Sequence, residues 1–132
     1  MTTRPAPILI CDDEAHIRHV LTVKLAEAGH PTLCAADGEE GWALAEAYRP
    51  AVVVTDVKMP RLDGLALARR LRDRLDPAPA LVLLTGQGAT LTADALDGLT
   101  VAAQFGKPFS PRELVRCVRD LIAAPSAPGG AA

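Results

Sequence analysis

Five side chains with the chemistry of a metal or phosphate site stand at the ends of apolar runs in this 132-residue chain: Asp12, Asp13, Asp56, Thr85 and Lys107. Three carboxylates at close range repel one another, and all three stay ionised together only beside a cation. Oxygen ligands without a nearby His or Cys favour a hard ion, so Mg²⁺ is a better candidate than zinc or copper. Such a site accepts phosphate oxygens, and an aspartate in it can attack phosphorus to form an aspartyl-phosphate. The lysine would supply positive charge to the phosphate oxygens, and the threonine a hydroxyl donor.

These residues follow short apolar runs that have the length and composition of β-strands. The predicted strands are 8–11, 32–35, 51–55, 80–84 and 101–105. After the first, third and fifth strands, apolar residues recur at three- and four-residue spacing, which predicts a helix, and Asp37-Gly38 begins a predicted helix after the second strand. The fourth helix is short and polar and is predicted at 89–97. The last helix has the strongest start signal, because Ser110 is followed by Pro111 and Glu113 in the pattern of a capping box.

Strands joined by single helices need crossover connections, which produce a parallel sheet covered on both faces. The sequence therefore predicts an α/β fold, a five-stranded parallel sheet doubly wound as a (βα)5 three-layer sandwich of flavodoxin-like topology. In such sheets the functional crevice lies at the C-terminal ends of the strands, near the point where strand order reverses. We therefore expect the five candidate side chains to lie together at that edge.

Length and composition limit the other possibilities. The length fits one domain, to which we assign residues 1–123, and the Ala, Pro, Gly and Ser residues of 124–132 are predicted to form a flexible tail. A net charge of −2 and a total of two Phe, one Trp and one Tyr argue against a nucleic-acid or membrane surface. The N-terminus lacks a signal-peptide core, and the three widely spaced cysteines are typical of reduced thiols. We therefore expect a cytoplasmic protein.

Four motifs, in order, resemble the receiver domain of bacterial two-component response regulators, the group that includes the chemotaxis response regulator. They are ILICDDE with HIR following, VVVTDVKMPRLDG, LLTG and GKPFSPREL, and the resemblance covers about Ile8 to Ile122. It implies that Asp56 is the phosphoacceptor. It also implies that Asp12 and Asp13 hold Mg²⁺, together with Asp56 and the backbone carbonyl of Lys58.

The same resemblance implies roles for the other two candidates and for the whole domain. Thr85 is expected to be the switch hydroxyl, Lys107 to pair with the phosphate, and the Lys107–Pro108 bond to be cis. A receiver takes its phosphoryl group from a phosphohistidine of a sensor histidine kinase or histidine phosphotransfer protein, and signals to a downstream protein target. It assists its own phosphorylation and dephosphorylation, but it is a signalling switch rather than an enzyme. No direct contact with nucleic acid or membrane is expected.

Three positions depart from, or vary within, the family pattern. Gln104 stands where the family usually has Tyr or Phe, and Phe105 should point to the opposite face of a regular strand. Activation through the loops alone, a hydrogen-bonding role for Gln104 and a weak conformational response all stay open. Lys58 and Gln87 flank the path of the attacking water in the family, and a cationic Lys58 could screen or block that water.

Three other functions remain open on sequence alone. A phosphatase of the haloacid dehalogenase type also uses Asp, Lys, Thr and Mg²⁺, but it has a second acid where this chain has Lys58. A flavodoxin-like cofactor carrier is disfavoured because no glycine-rich phosphate loop follows the first strand. A degenerate receiver would act only through protein contacts. The kinase, the output, the oligomeric state and the extent of the full protein do not follow from the sequence.

Overall fold

A computed structural model describes residues 6–86 and 91–123. The strands are β1 Ile8–Cys11, β2 Thr32–Ala35, β3 Val52–Asp56, β4 Ala80–Thr85 and β5 Ala103–Gly106. The helices are α1 Ala15–Glu27, α2 Gly38–Tyr48, α3 Gly64–Arg74, α4 Ala93–Leu96 and α5 Pro111–Ala123. No helix in the described ranges has both the length and the apolar character needed to cross a membrane.

All neighbouring strands pair in parallel, in the order β2-β1-β3-β4-β5. This confirms the predicted α/β fold with a doubly wound sheet. From β1 the chain passes to β2 on one side, and then to β3, β4 and β5 on the other, so strand order reverses between β1 and β3. The C-terminal ends of these two strands border the crevice in which sheets of this type bind their ligands.

The central strand β3 packs on both helix layers. Val52 and Val54 contribute to a core shared with Leu21 of α1 and Leu114 of α5, whereas Val53 belongs to a second core with residues of α2 and α3. This alternation follows from the two-residue period of a strand. Burial of a large apolar side chain stabilises a fold by roughly 1.5–3 kcal/mol. The two-sided core therefore holds β3, and with it Asp56 at its end, firmly in place.

Side chains cap the N-termini of α2, α3 and α5, and the cap of α5 is the one predicted at Ser110. Asp37 before α2, Asp63 before α3 and Ser110 before α5 each accept a hydrogen bond from the backbone N–H three residues later, at 2.8, 2.8 and 3.3 Å. Such caps satisfy amides that have no partner within the helix. Helix α1 differs, because Glu14 at its N-cap position makes no side-chain capping bond. The Glu14 carboxylate is therefore available for another contact.

The boundaries of three strands differ from the prediction in an informative way. Strands β3 and β4 continue one residue further than predicted, so Asp56 and Thr85 are the last residues of their strands. Strand β5 begins at Ala103, two residues later than predicted. The apolar residue Val101 packs against the cluster that includes Leu83 of β4, although it lies outside the strand. The apolar residue Val101 was thus correctly predicted to pack in the core, but the hydrogen-bonded strand begins only at Ala103.

The fourth helix is the least accurate of the predicted elements. It was predicted over 89–97, and the structure has α4 over Ala93–Leu96. Residues 87–90 lie outside the described residues, as does the proposed tail at 124–132. The assignment of 124–132 to a tail therefore remains a prediction.

Candidate functional site

The predicted site residues meet at one edge of the sheet. Asp12 follows β1 directly, Asp56 ends β3, Thr85 ends β4 and Lys107 follows β5. Because the strands are parallel, their C-terminal ends open on the same edge. Asp13 lies beside Asp12 in the chain, and so all five candidates belong to one region.

The three aspartates form a cluster of possible metal ligands. One carboxylate oxygen from each of Asp12, Asp13 and Asp56 can be chosen so that all three lie within 4.8 Å of one another. Asp12 is 0% exposed and Asp56 is 8% exposed, whereas Asp13 is open to solvent. The cluster therefore has two buried oxygen donors and one exposed donor facing the route from solvent.

Lys107 is the cation nearest to this cluster in the described part of the chain. Its Nζ lies 2.8 Å from Asp12 Oδ2, 2.7 Å from Glu14 Oε1 and 2.9 Å from Asp56 Oδ2. The contacts with Glu14 and Asp56 are hydrogen bonds. The contact with Asp12 Oδ2 is an ion pair without hydrogen-bond geometry. One ammonium group thus partly neutralises three carboxylates.

Burial and the neighbouring charges shift the pKa values of Asp12 and Lys107, and both are raised. Burial raises the pKa of Asp12 above its ordinary value, and the Lys107 ammonium only partly opposes the effect. For Lys107, burial alone would lower the pKa, but its three carboxylate partners outweigh burial and raise the pKa above the usual range. Lys107 is therefore charged throughout the physiological pH range.

Glu14 is a site residue that the sequence analysis did not single out. It was included in the acidic motif after β1, but it received no separate role. Its contact with Lys107 holds the pKa of the Glu14 carboxyl below its ordinary value. The available signal was an acidic residue at the N-cap of α1 without the hydrogen bond of a cap. The direction of the Glu14 side chain depends on the backbone turn between β1 and α1, which amino-acid composition does not specify.

The loop after β3 folds back on Asp56. The Lys58 amide donates to Asp56 Oδ1 at 3.4 Å, and the Gly64 amide donates to the Val57 carbonyl at 2.7 Å. A Cβ atom at Gly64 would overlap the backbone oxygen of Asp56. Only glycine permits this close approach. The Lys58 side chain is exposed, so its ammonium is free to face solvent beside the site.

Backbone hydrogen bonds join the ends of β3, β4 and β5. The Val57 amide donates to the Leu84 carbonyl at 3.0 Å, and the Lys107 amide donates to the Thr85 carbonyl at 2.8 Å. Thr85 itself is 7% exposed. The positions of the acceptor loop and the lysine loop are thus both tied to the last two residues of β4.

Gln104, at the position where the family usually has Tyr or Phe, and its neighbour Phe105 lie in different environments. Gln104 is exposed, whereas Phe105 is partly buried and packs with the core that includes Leu114. The Phe105 ring also contacts the Phe109 ring edge-on, with centroids 6.4 Å apart. Phe105 therefore lies on the face opposite Gln104, as a regular strand predicts. Gln87, which the family places beside the path of the attacking water, lies outside the described residues.

The donor set suits a hard divalent cation. All candidate ligands are oxygens, and Asp12 Oδ2 is a buried acceptor that lacks a hydrogen bond within the described residues. Mg²⁺ is bound in proteins by one or two carboxylates and retains several waters. The cluster of Asp12, Asp13 and Asp56 could therefore bind such an ion, with its remaining positions open to water or phosphate oxygens.

Comparison with known families decides the class of the domain. The family model described as response regulator receiver domain matches residues 8–119. The chain belongs to this family. The receiver domain is a module of two-component response regulators, a class of signalling proteins that is generally not counted among enzymes. The resemblance of the four sequence motifs to a receiver domain is thereby confirmed. Membership of this family also sets aside the alternative of a phosphatase of the haloacid dehalogenase type.

Curated relatives of this receiver are transcriptional regulators. A probable transcriptional regulator, ycf27, of Cyanophora paradoxa is 39% identical over 117 residues, covering 87% of this chain and 47% of the relative. The alkaline phosphatase synthesis transcriptional regulatory protein PhoP of Bacillus subtilis is 38% identical over 126 residues, covering 90% and 51%. The chain spans about half the length of the curated relatives it matches.

Solved receiver structures have the same fold. The chemotaxis response regulator CheY4 of Vibrio cholerae superposes with a TM-score of 0.79 at 26% identity, covering 89% of this chain and 99% of CheY4. A response regulator receiver domain protein from Clostridium thermocellum superposes with a TM-score of 0.77 at 28% identity, covering 89% and 94%. These likenesses cover 99% and 94% of the two solved chains, which shows that this chain has the receiver fold.

Proposed function

We propose that this receiver is phosphorylated on Asp56 by transfer from a phosphohistidine of a sensor kinase or phosphotransfer protein. The observation that carries the proposal is the 2.9 Å contact between Lys107 Nζ and Asp56 Oδ2 beside the aspartate cluster. A nucleophilic carboxylate, a fixed positive charge and a set of oxygen donors are the parts that phosphoryl transfer to aspartate requires.

Asp12, Asp13, Asp56 and the backbone carbonyl of Lys58 would hold Mg²⁺ in this proposal. The ion would add positive charge beside the transferred phosphoryl group. Support comes from the all-oxygen donor set and from the buried Asp12 carboxylate, whose Oδ2 has no partner besides the Lys107 ammonium within the described residues. The exposure of Asp13 leaves the ion a path from solvent.

In the transfer step, a carboxylate oxygen of Asp56 attacks phosphorus. A P–O bond forms as the P–N bond of phosphohistidine breaks, and the bonding electrons of that bond remain on the imidazole nitrogen. Lys107 stays protonated and neutralises charge on the phosphoryl oxygens. Hydrolysis later returns Asp56 to the free carboxylate, so the domain assists its own phosphorylation and dephosphorylation without acting as a turnover enzyme.

Thr85 would report the modification. Its hydroxyl is within the same edge of the sheet, and its carbonyl is bonded to the Lys107 amide. A hydrogen bond from Thr85 Oγ1 to the new phosphoryl group would move the end of β4 and the loop bonded to it. Because Gln104 is exposed, the response would travel through these loops rather than through a buried aromatic ring.

The partners of the domain are proposed to be proteins. A histidine kinase or phosphotransfer protein supplies the phosphoryl group, and a downstream protein receives the signal. The net charge of the chain and its low aromatic content argue against a nucleic-acid contact by the receiver. Relatives named as transcriptional regulators support a nucleic-acid contact for a longer protein, beyond the receiver itself.

Incubation with acetyl phosphate and Mg²⁺, followed by intact mass measurement, tests the proposal. The wild type should gain one phosphoryl group, and Asp56→Asn should gain none because its amide is not a nucleophile. Asp94→Asn removes an exposed carboxylate on α4 and serves as the matched control, which should react like the wild type. No gain by the wild type, or an equal gain by Asp56→Asn, would contradict the assignment. Chelation of Mg²⁺ should suppress the reaction.

A further inference from the structure

The groove between α1 and α5 is lined mainly by basic side chains. It has a volume of about 420 Å³, and its charged lining residues are Lys24, Glu27, Arg112, Arg116 and Arg119. Four basic side chains thus face one acidic side chain, in a protein whose net charge is −2. The groove shares no lining residue with the aspartate cluster, so an inference from it does not depend on phosphorylation.

The three arginines of this groove have no acidic partner in the structure. Within residues 6–86 and 91–123, no carboxylate oxygen lies within 4.0 Å of any of them. On α3, by contrast, Arg69, Arg70 and Arg72 each pair with an Asp or Glu. Glu113 and Asp120 also lie on α5, but neither forms an ion pair within 4.0 Å in the described part of the chain. The groove lining therefore presents an excess of positive charge to solvent.

The spacing of the arginines suits a helical partner. Arg112, Arg116 and Arg119 are four and three residues apart, so they share one face of α5. At 1.5 Å per residue they span about 10 Å, roughly two turns of a facing helix. Val115 and Ala28 also line the groove, and they offer apolar contact between the charged walls. A second helix with carboxylates three and four residues apart would match both the charge and the spacing.

We propose that the α1–α5 groove binds an acidic helix of a partner protein, whose Asp or Glu side chains pair with the three α5 arginines. Nucleic acid fits this surface less well. Binding of its backbone requires a longer basic track, and single strands also need stacking aromatic residues. The lining has no aromatic residue, and it includes the carboxylate of Glu27.

Fluorescence anisotropy with a labelled helical peptide tests the inference. The peptide carries Glu at positions i, i+3 and i+7 of an Ala-rich sequence, and the control peptide has Gln at those positions. At low ionic strength the wild-type domain should bind the Glu peptide, and Arg116→Glu/Arg119→Glu should weaken binding by about tenfold or more through charge reversal. Added salt should weaken binding as well, because these arginines are exposed. The matched control is Arg72→Glu/Arg74→Glu on α3, which should keep wild-type affinity.

Circular dichroism establishes that each variant is folded, and amide chemical shifts of the wild type provide a readout that needs no variant. Shifts on peptide addition should concentrate in residues 24–28 and 112–119. The proposal fails if the wild type does not distinguish the Glu peptide from the Gln peptide, or if the α5 variant binds as well as the wild type. It also fails if a DNA duplex binds this face more tightly than the Glu peptide, or if the shifts lie elsewhere.

Discussion

Glu14 Oε1 lies 2.7 Å from Lys107 Nζ, so a residue at the start of α1 holds the lysine that also contacts the proposed phosphoacceptor. The pair joins positions 93 residues apart in the chain. It also adds a fourth carboxylate, besides those of the three aspartates, near the route by which a phosphodonor would reach Asp56. The unphosphorylated site is thus more acidic than its three aspartates alone would make it.

Glu14→Gln should therefore speed phosphorylation by acetyl phosphate. Removal of one negative charge lowers the repulsion of an anionic donor and leaves Lys107 to the two remaining partners. We expect a rate increase of about threefold to tenfold at low ionic strength, decreasing as salt is added. The measurement is the time course of phosphoryl gain by intact mass. Glu27→Gln, an exposed change at the far end of α1, is the control, and an unchanged or slower rate for Glu14→Gln would contradict the prediction.

Asp12→Asn should make the metal-free domain more stable, and more so as pH rises. Burial raises the folded-state pKa of Asp12 above the ordinary value of 3.8, so the folded state binds this proton more tightly than the unfolded state does. Its favourable contribution is present below the ordinary value and is lost as pH rises through the raised pKa. Asn avoids that loss because it does not titrate.

Urea unfolding in buffers that contain a chelator, at several pH values above 4, measures the difference in the free energy of unfolding between Asp12→Asn and the wild type. The gap in the free energy of unfolding should widen with pH. Asp73→Asn is an instructive control, because Arg72 holds the pKa of the exposed Asp73 carboxyl below its ordinary value. Its loss should bring no stabilisation at neutral pH. A gap between Asp12→Asn and the wild type that is constant with pH would show that Asp12 titrates normally.

Gly64→Ala should destabilise the domain, because its Cβ would overlap the Asp56 backbone oxygen. Relief of that overlap requires movement of the β3–α3 loop, and we expect a loss of about 2 kcal/mol or more in the free energy of unfolding. Gly86→Ala is the matched control, since a Cβ there would meet nothing within 4 Å. Its effect should stay within about 0.5 kcal/mol. Chemical denaturation of both variants gives the comparison, and equal midpoints would contradict the close approach.

The three free cysteines should differ in reactivity. Burial raises the pKa of Cys11 to about 12, so at about pH 8 only about one thiol in 10⁴ is ionised. Cys34 and Cys117 are only partly buried. Iodoacetamide should therefore label those two before Cys11 in the native domain, and all three at similar rates in urea. Peptide mapping would show the order, and early labelling of Cys11 would contradict its burial beneath α2.

The sequence predicted the position of the site better than its internal contacts. Asp12, Asp56, Thr85 and Lys107 were located correctly because a parallel sheet places all strand ends at one edge, and apolar runs reveal where strands end. The partner of Lys107 at Glu14 was not predicted, since side-chain direction at the start of a helix depends on the turn that precedes it. The start of β5 was predicted two residues too early, at Val101. An apolar residue that packs against β4 gives the same sequence pattern whether or not it belongs to the sheet.

The hydrogen bonds from the Val57 and Lys107 amides to the carbonyls of Leu84 and Thr85 attach both the acceptor loop and the lysine loop to the end of β4. A tilt of this one peptide segment would displace both loops together. The acceptor and the cation would then shift in concert, and their separation would change less than either position does.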